Sequence, residues 1–324
     1  MMSRRTYALG AALVLVAGIM VWNVVGGWFG SGPLAKDSAF VVPNGASLSA
    51  VADKLQDEGV VRSGDGFALR ARLFGGGGAI KAGEFVIPAH ASPSRVLAII
   101  TSDDVVRRQV MIPEGMPSIM VYERLMAQEA LTGELAVPEE GSVLPATYDI
   151  QKGDARADVL RKMQAGMRRT LAELWEKRAS DLVVKTPEEA LVLASIVEKE
   201  TAKAEERTVV AGLYSNRLKQ GMLLQADPTI IYPITKGKPL GRRIRQSEIQ
   251  AINDYNTYSM VGLPKHPICN PGRASIEAVL HPAETDALYM VADGTGGHVF
   301  ASTLAAHNEN VKKWFEIRRK RGEI

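Results

Sequence analysis

The hydrophobic pattern opens with a long apolar stretch: Tyr7 to Trp28 is almost wholly nonpolar, and no charge intervenes between Arg5 and Lys36. As a helix these 22 residues would reach roughly 33 Å, enough to cross a hydrocarbon core and longer than the apolar core of a cleaved signal peptide. Arg4 and Arg5 precede the stretch, while Trp22 and Trp28 lie near its far end. That asymmetry predicts a short cytoplasmic tip (1–5), an uncleaved anchor (6–28) and export of the remaining chain. Gly26, Gly27, Gly30, Gly32 and Pro33 read as the start of a linker over 29–38.

Beyond the linker one segment type occurs three times: FVVPNGASLSAVADKL from Phe40, FVIPAHASPSRVLAII from Phe85 and VMIPEGMPSIMVYERL from Val110. Each predicts a strand, a proline-bearing turn and a helix, with Ser47, Ser92 and Ser118 as candidate N-caps. The spacing is unequal, which excludes a solenoid. It predicts a small α+β module over 39–108, similar to the LysM modules that bind cell-wall glycans, and a second α+β domain over 109–324. The glycine run 75–78 is followed by no Lys-Ser/Thr pair and reads as a loop, not a phosphate cradle. Leu160, Met163, Met167, Leu171 and Leu174 mark the buried stripe of an amphipathic helix.

KTPEEALVLASIVEKET contains a clear helix start, with Thr186 as N-cap, Pro187 at the first helical position and Glu189 completing a capping box. Ala190 to Val197 is apolar on every side except at Ser195, which predicts full burial. Glu198 follows at the edge of that stretch. Partial desolvation there would favour its neutral form and suit a general acid. Glu200 lies about 200° further round the helix, where it is expected to matter much less. The plainer reading makes the whole charged run a solvated helix end.

Two further segments favour chemistry. NRLKQGMLLQADPTIIY runs from a helix through Gly221 into what reads as an extended stretch carrying Gln225, Asp227 and Thr229. YNTYSMVGLPKHPICNPG, from Tyr255 to Gly272, gathers tyrosines, asparagines and prolines in a nonperiodic loop suited to sugar hydroxyls and ring faces. The composition, 46% hydrophobic and 23% charged, is that of a globular chain. A net charge of +3 gives no reason to expect a nucleic-acid partner. The single cysteine, Cys269, excludes an intrachain disulfide and a cysteine-based metal cluster.

SIVEKET, LQADPTIIY, YNTY followed by GLP, ICNPG, and LYMVADGTGGHVFASTLAAHN together resemble the endolytic murein transglycosylase family, of the MltG or YceG-like type. They occur in family order over the exported chain. One departure is Lys265 and His266, where the family reads Pro-Gly. The resemblance implies a membrane-anchored α+β lytic transglycosylase on the outer face of the bacterial inner membrane. Its implied substrate is the MurNAc-GlcNAc β-1,4 bond of nascent glycan strands, its product a 1,6-anhydromuramoyl end, and its role the termination of strand elongation beside peptidoglycan synthases. It also implies that the VEKET glutamate, Glu198, is the acid.

Such a reaction needs one carboxyl, because the sugar's own C6 hydroxyl attacks C1 and the same glutamate acts as acid and then base. Gln225, Asp227, Asn256, Tyr258 and Asn270 are the candidates for holding the glycan or orienting the acid. No cofactor or metal is expected: His298 and His307 have no metalloprotease spacing, although a hairpin over Asp293–Gly297 and a Thr303-capped helix could bring them together. The rival readings are a noncatalytic, membrane-tethered glycan scaffold and a hydrolase that uses water.

Overall fold

The computed structural model describes residues 15, 16, 18, 24–75, 78–106 and 108–324. It divides the chain into two compact units, Met1–Arg108 and Gln109–Ile324.

In the first unit, strand β1 (Ser38–Val42) pairs antiparallel with β2 (Gly83–Ile87), placing Phe40 opposite Phe85. Between them run helices α1 (Leu48–Asp57) and α2 (Gly64–Phe74), and α3 (Pro93–Ile100) follows. Ser47 and Ser92 cap α1 and α3, accepting from Ala50 N–H and Arg95 N–H at 3.2 Å each. Phe40, Phe85, Leu55, Phe67, Val96 and Ile100 form the buried centre.

The N-terminal approach differs from its expected course. Residues 24–29 are helical, and Trp28 is only 3% exposed, packed between Phe67 and Phe74 at centroid distances of 6.0 and 6.2 Å. Arg70 Nε donates to the Val24 carbonyl at 3.2 Å, and Gly32 N–H and His90 N–H bond across the neighbouring segment. The end of the expected span and its linker are thus tied to the first unit. An indole between two phenylalanines is well placed in a core, and Trp28 belongs to the core of the first unit. Among the described residues no helix is long and apolar enough to cross a membrane. Most of the anchor expected over 6–28, Trp22 included, lies outside them.

In the second unit, β3 (Arg108–Met111) pairs with β4 (Thr147–Ile150), and β5 (Tyr289–Ala292) pairs antiparallel with β6 (His298–Ala301). The helices are α4 (Ser118–Met126), α5 (Arg156–Glu176), α6 (Pro187–Glu200), α7 (Arg207–Lys219), α8 (Asp227–Thr235), α9 (Gln246–Ile249), α10 (Arg273–Leu280) and α11 (Leu304–Lys320). Helix α6 is the centre of the unit. Ala190 and Val192 through Val197 are buried, as an apolar-all-round helix requires, and α5, α7, α8 and α10 pack about it.

Two local expectations change. Ser118 is not an N-cap: Pro117 holds that place, while Ser118 lies inside α4, donating from its backbone N to Glu140 and from its hydroxyl to the Glu139 carbonyl. Asp227–Thr235 is helical rather than extended, because Pro228 presets the first turn and Thr229 Oγ1 returns to the Ala226 carbonyl at 2.6 Å. Thr186 caps α6 as expected, accepting from Glu189 N–H at 3.1 Å; the Glu189 carboxylate reaches one residue further back, to Lys185 N–H.

Trp28→Ala should destabilise the first unit by about 3–5 kcal/mol, the cost of emptying a large aromatic site. Chemical denaturation followed by circular dichroism measures this. A change within about 0.5 kcal/mol, the range of ordinary surface substitutions, would mean that Trp28 is not part of the core.

Candidate active site

The all-round burial of α6 decides the surroundings of its last turn. Ser195 Oγ, which donates to the Val192 carbonyl, also accepts from Ile268 N–H at 3.0 Å, while Cys269 Sγ donates to the Ser195 carbonyl at 3.3 Å. The 266–272 loop is thereby pinned along one side of the helix. At its end Gly272 N–H donates to Glu198 Oε2 at 2.9 Å. Gly272 is the N-cap of α10, so Glu198 braces a helix start and is only half-buried. A β-carbon at Gly272 would lie 2.0 Å from Glu114 Oε1, so a larger residue there would displace the Glu114 side chain.

The opposite side of the same turn faces Tyr214 and a polar cavity, and Glu200 there is, like Glu198, half-buried over the whole residue. Glu200, expected to be the less important carboxyl, is directed toward Tyr214 of α7, and its Oε1 is fully shielded with no hydrogen-bond partner among the described residues. Burial first, and then the Asp227 carboxylate, raise the Glu200 pKa from 4.5 to about 7, against the opposing influence of the Tyr214 hydroxyl. The carboxyl that burial raises is thus Glu200, while Glu198 accepts the Gly272 N–H. Helical rotation separates the two glutamates as the sequence implies.

Glu200 lines a polar cavity of about 350 Å³ together with Tyr214, Gln225, Asp227, Tyr258 and the two histidines, His298 and His307. Thr257 is the joint that assembles one wall. Its Oγ1 accepts from Ala226 N–H at 3.0 Å and shares a hydrogen bond with Thr229 Oγ1 at 2.8 Å, and its N–H donates to that same Thr229 oxygen. The start of α8 is thus held against the 255–258 loop, and Tyr258 donates to Asp227 Oδ1 at 2.6 Å. Gln225 adopts φ +55°, a left-handed conformation unusual for its type. Its N–H bonds the Thr257 carbonyl at 3.1 Å, and Arg217 reaches its side-chain oxygen at 3.3 Å.

Behind this wall, buried Arg217 donates to the carbonyls of Leu223, Leu224 and Leu288. The hairpin and the Thr303-capped helix form as expected and carry His298 and His307 to one cavity. His298 Nδ1 pairs with Glu206 Oε2 at 2.8 Å. Burial alone would raise Glu206, but the His298 hydrogen bonds outweigh it and hold the carboxyl below its usual range. His307 stacks on Tyr289 with centroids 5.3 Å apart, and burial together with the Arg217 charge lowers its pKa. Among the described residues no cluster of three or more potential metal ligands occurs.

Of the expected glycan contacts, Gln225, Asp227 and Tyr258 line this cavity, whereas Asn256 and Asn270 do not. Both asparagines are 0% exposed. The Asn256 amide ties together the carbonyls of Glu248, Ile249 and Ala251, and Asn270 joins Met116 O, Ser118 Oγ and Val143 N–H. They are loop fasteners, with no donor left for a sugar. Lys265 and His266 are exposed, and Lys265 pairs with Asp254 at 3.6 Å. Glu200, Tyr214, Arg217 and Thr257 are the site residues that sequence patterning passes over. The only advance sign of Glu200 was the packing of its helix on all sides.

The model of the YceG-like family matches residues 40–313. An endolytic murein transglycosylase of Bacillus subtilis is 27% identical over 90% of this chain and 91% of its own length. One from Streptococcus pneumoniae is 37% identical over 53% of this chain and 31% of its own length. A crystal structure of a yceG-like protein from Listeria monocytogenes, 23% identical, covers 85% of this chain and 98% of that one with a TM-score of 0.53, a likeness of fold.

The raised Glu200 pKa has a sign that thermal unfolding can read. The protonated carboxyl is the form that the fold favours, so its contribution to stability is complete below about pH 4.5 and declines as pH rises through about 7. Glu200→Gln carries no such loss. Its Tm should exceed that of the wild type by roughly 2–6 °C at pH 8, with the gap closing toward pH 4.5. A gap independent of pH would mean that Glu200 titrates as an ordinary surface carboxyl.

Proposed function

The chain belongs to the YceG-like family, and on that premise we propose that it is an endolytic peptidoglycan lytic transglycosylase acting on the MurNAc-GlcNAc β-1,4 bond. The observation that carries the reading is the shielded Glu200 carboxyl, which lines a polar cavity with Asp227 and whose pKa burial and the Asp227 charge raise to about 7. A noncatalytic scaffold has no use for a desolvated carboxyl, which costs stability above neutral pH. The names of the relatives agree: they are endolytic murein transglycosylases.

In this mechanism Glu200 protonates the glycosidic oxygen as the bond to C1 breaks, leaving positive charge on the muramic acid ring. Asp227, its carboxylate oriented by Tyr258, stabilises that charge through space. The ionised Glu200 then takes the proton of the C6 hydroxyl as its oxygen bonds to C1, closing the 1,6-anhydro ring and returning Glu200 to its protonated form. Proximity favours this intramolecular attack over water. Gln225 and His307 are assigned to holding the sugar, and Glu198 to bracing α10.

Asp227 also supports a second reading. Two carboxyls in one cavity, one neutral and one charged, are what a water-using glycosidase employs. Mass spectrometry of products separates the two routes: an anhydro end supports the transglycosylase, and a reducing end the hydrolase.

The same proposal extends to context. The apolar stretch over 6–28 anchors the chain in the inner membrane, and the rest of the chain lies on its outer face, beside peptidoglycan synthases, where cleavage ends strand growth. The first unit is a LysM-like glycan-binding module; its two helices between paired strands support that reading. No nucleic acid is involved.

On purified glycan strands, Glu200→Gln should lower cleavage by at least ~10²-fold, and Glu198→Gln should lower it much less. For the wild type, kcat/KM should fall as pH rises through about 7, when the acid loses its proton. Near-normal turnover by a folded Glu200→Gln would remove Glu200 from the mechanism.

A further inference from the structure

Besides the Glu200 cavity there is a second one of about 460 Å³. Its walls include Met116, Pro117, Met120, Pro228 and Ile231, with Lys199 and Lys238 among its lining residues. Lys199 immediately precedes Glu200, and Pro228 immediately follows Asp227. The two cavities are therefore backbone neighbours, one polar and one largely apolar. The loop leaving α8 borders the second cavity through Gly237, Lys238 and Pro239, and it carries Lys236, Lys238, Arg242, Arg243 and Arg245 within ten residues.

Nearby acidic groups are already engaged. Glu114 lies 3.7 Å from Arg207, Glu123 is paired with Lys238 at 2.5 Å, and Glu248 is paired with Arg242. Lys236 and Arg243 are exposed, and neither they nor Lys199 forms an ion pair among the described residues. The cavity thus combines an apolar floor with Lys199 and an Arg207-paired Glu114, bordered by a loop that carries the charges of Lys236 and Arg243, and it is next in sequence to the carboxyls assigned to bond cleavage.

We propose that this second cavity and its basic rim bind the acidic peptide borne by the muramic acid next to the scissile bond. The proposal rests on the peptidoglycan-cleaving reading of the Glu200 cavity and adds that the enzyme selects stem-bearing strands over stripped ones. Small apolar side chains of the stem enter the floor, and its carboxylates face Lys199, Lys236 and Arg243. Contacts of this kind are electrostatic and weaken with salt.

Two measurements test it, both on the full chain. In the first, a soluble muramoyl peptide is titrated into Glu200→Gln protein by calorimetry, with and without Lys236→Ala and Arg243→Ala. The paired substitutions should weaken binding about five-fold at low salt, as expected for two exposed charge contacts, with the difference shrinking at high salt. In the second, wild-type kcat/KM is compared on strands with stems and on strands stripped of them. Stem-bearing strands should be preferred, and the paired substitutions should cost about five-fold more on them than on stripped strands.

Cleavage of both strands with equal kcat/KM, or equal losses on both, overturns the stem site and leaves the cleavage reading standing. Peptide binding without any cleavage supports the site and overturns that reading. Exposed Ile234 and Ile252 would also suit a bilayer. If the substitutions change only association with vesicles of anionic phospholipid, the rim is a membrane contact and the proposal falls.

Discussion

The structure depends on one constraint: a helix apolar on every side has no face to offer to water. Ala190 and Val192 to Val197 are enclosed by α5, α7, α8 and α10, and two side chains of the last turn, Glu198 and Glu200, also meet protein groups. Glu198 meets a backbone N–H that needs an acceptor and becomes a brace. Two residues on, Glu200 meets the Tyr214 hydroxyl and feels the Asp227 carboxylate of the same cavity. The fold therefore stores a protonated acid at the cost of stability above neutral pH, a common arrangement where chemistry is done.

The polar wall opposite that acid is built by short side chains. Thr229 and Thr257 fasten the beginning of α8 to the 255–258 loop, which sets the Tyr258 hydroxyl on Asp227. Arg217 satisfies several carbonyls behind the wall and leaves Gln225 in a left-handed turn. Such over-determined loops hold geometry better than exposed ones, because few of their polar groups can exchange partners with water without loss. Asn256 and Asn270 belong to the same scaffolding.

Much of the fold was legible in the chain itself. The Ser47 and Ser92 caps, the Thr186 helix start and the Asp293–Gly297 hairpin act locally and form as their chemistry dictates, whereas Ser118 yields its cap position to Pro117. Tyr258 was legible as a polar group in a loop without a period, and Gln225 and Asp227 as polar groups of a stretch that read as extended but is helical from Asp227. What failed were inferences about environment. Rotation about α6 gives the angle between Glu198 and Glu200 but not which side α7 will cover. An asparagine in a polar loop looks the same whether its amide faces a sugar or three carbonyls, and only the closed loop shows that Asn256 is already spent. Trp28 likewise read as a membrane-interface residue until Phe67 and Phe74 were placed around it.

The central claim is that the fold keeps the Glu200 carboxyl protonated near neutral pH. The most direct measurement is a pH titration of its carbonyl stretch by isotope-edited infrared spectroscopy, taken as wild type minus Glu200→Gln, and repeated in Asp227→Asn. A midpoint near 7 that falls when the Asp227 charge is removed is the result this account predicts. A midpoint near 4.5, unmoved by Asp227→Asn, would contradict it.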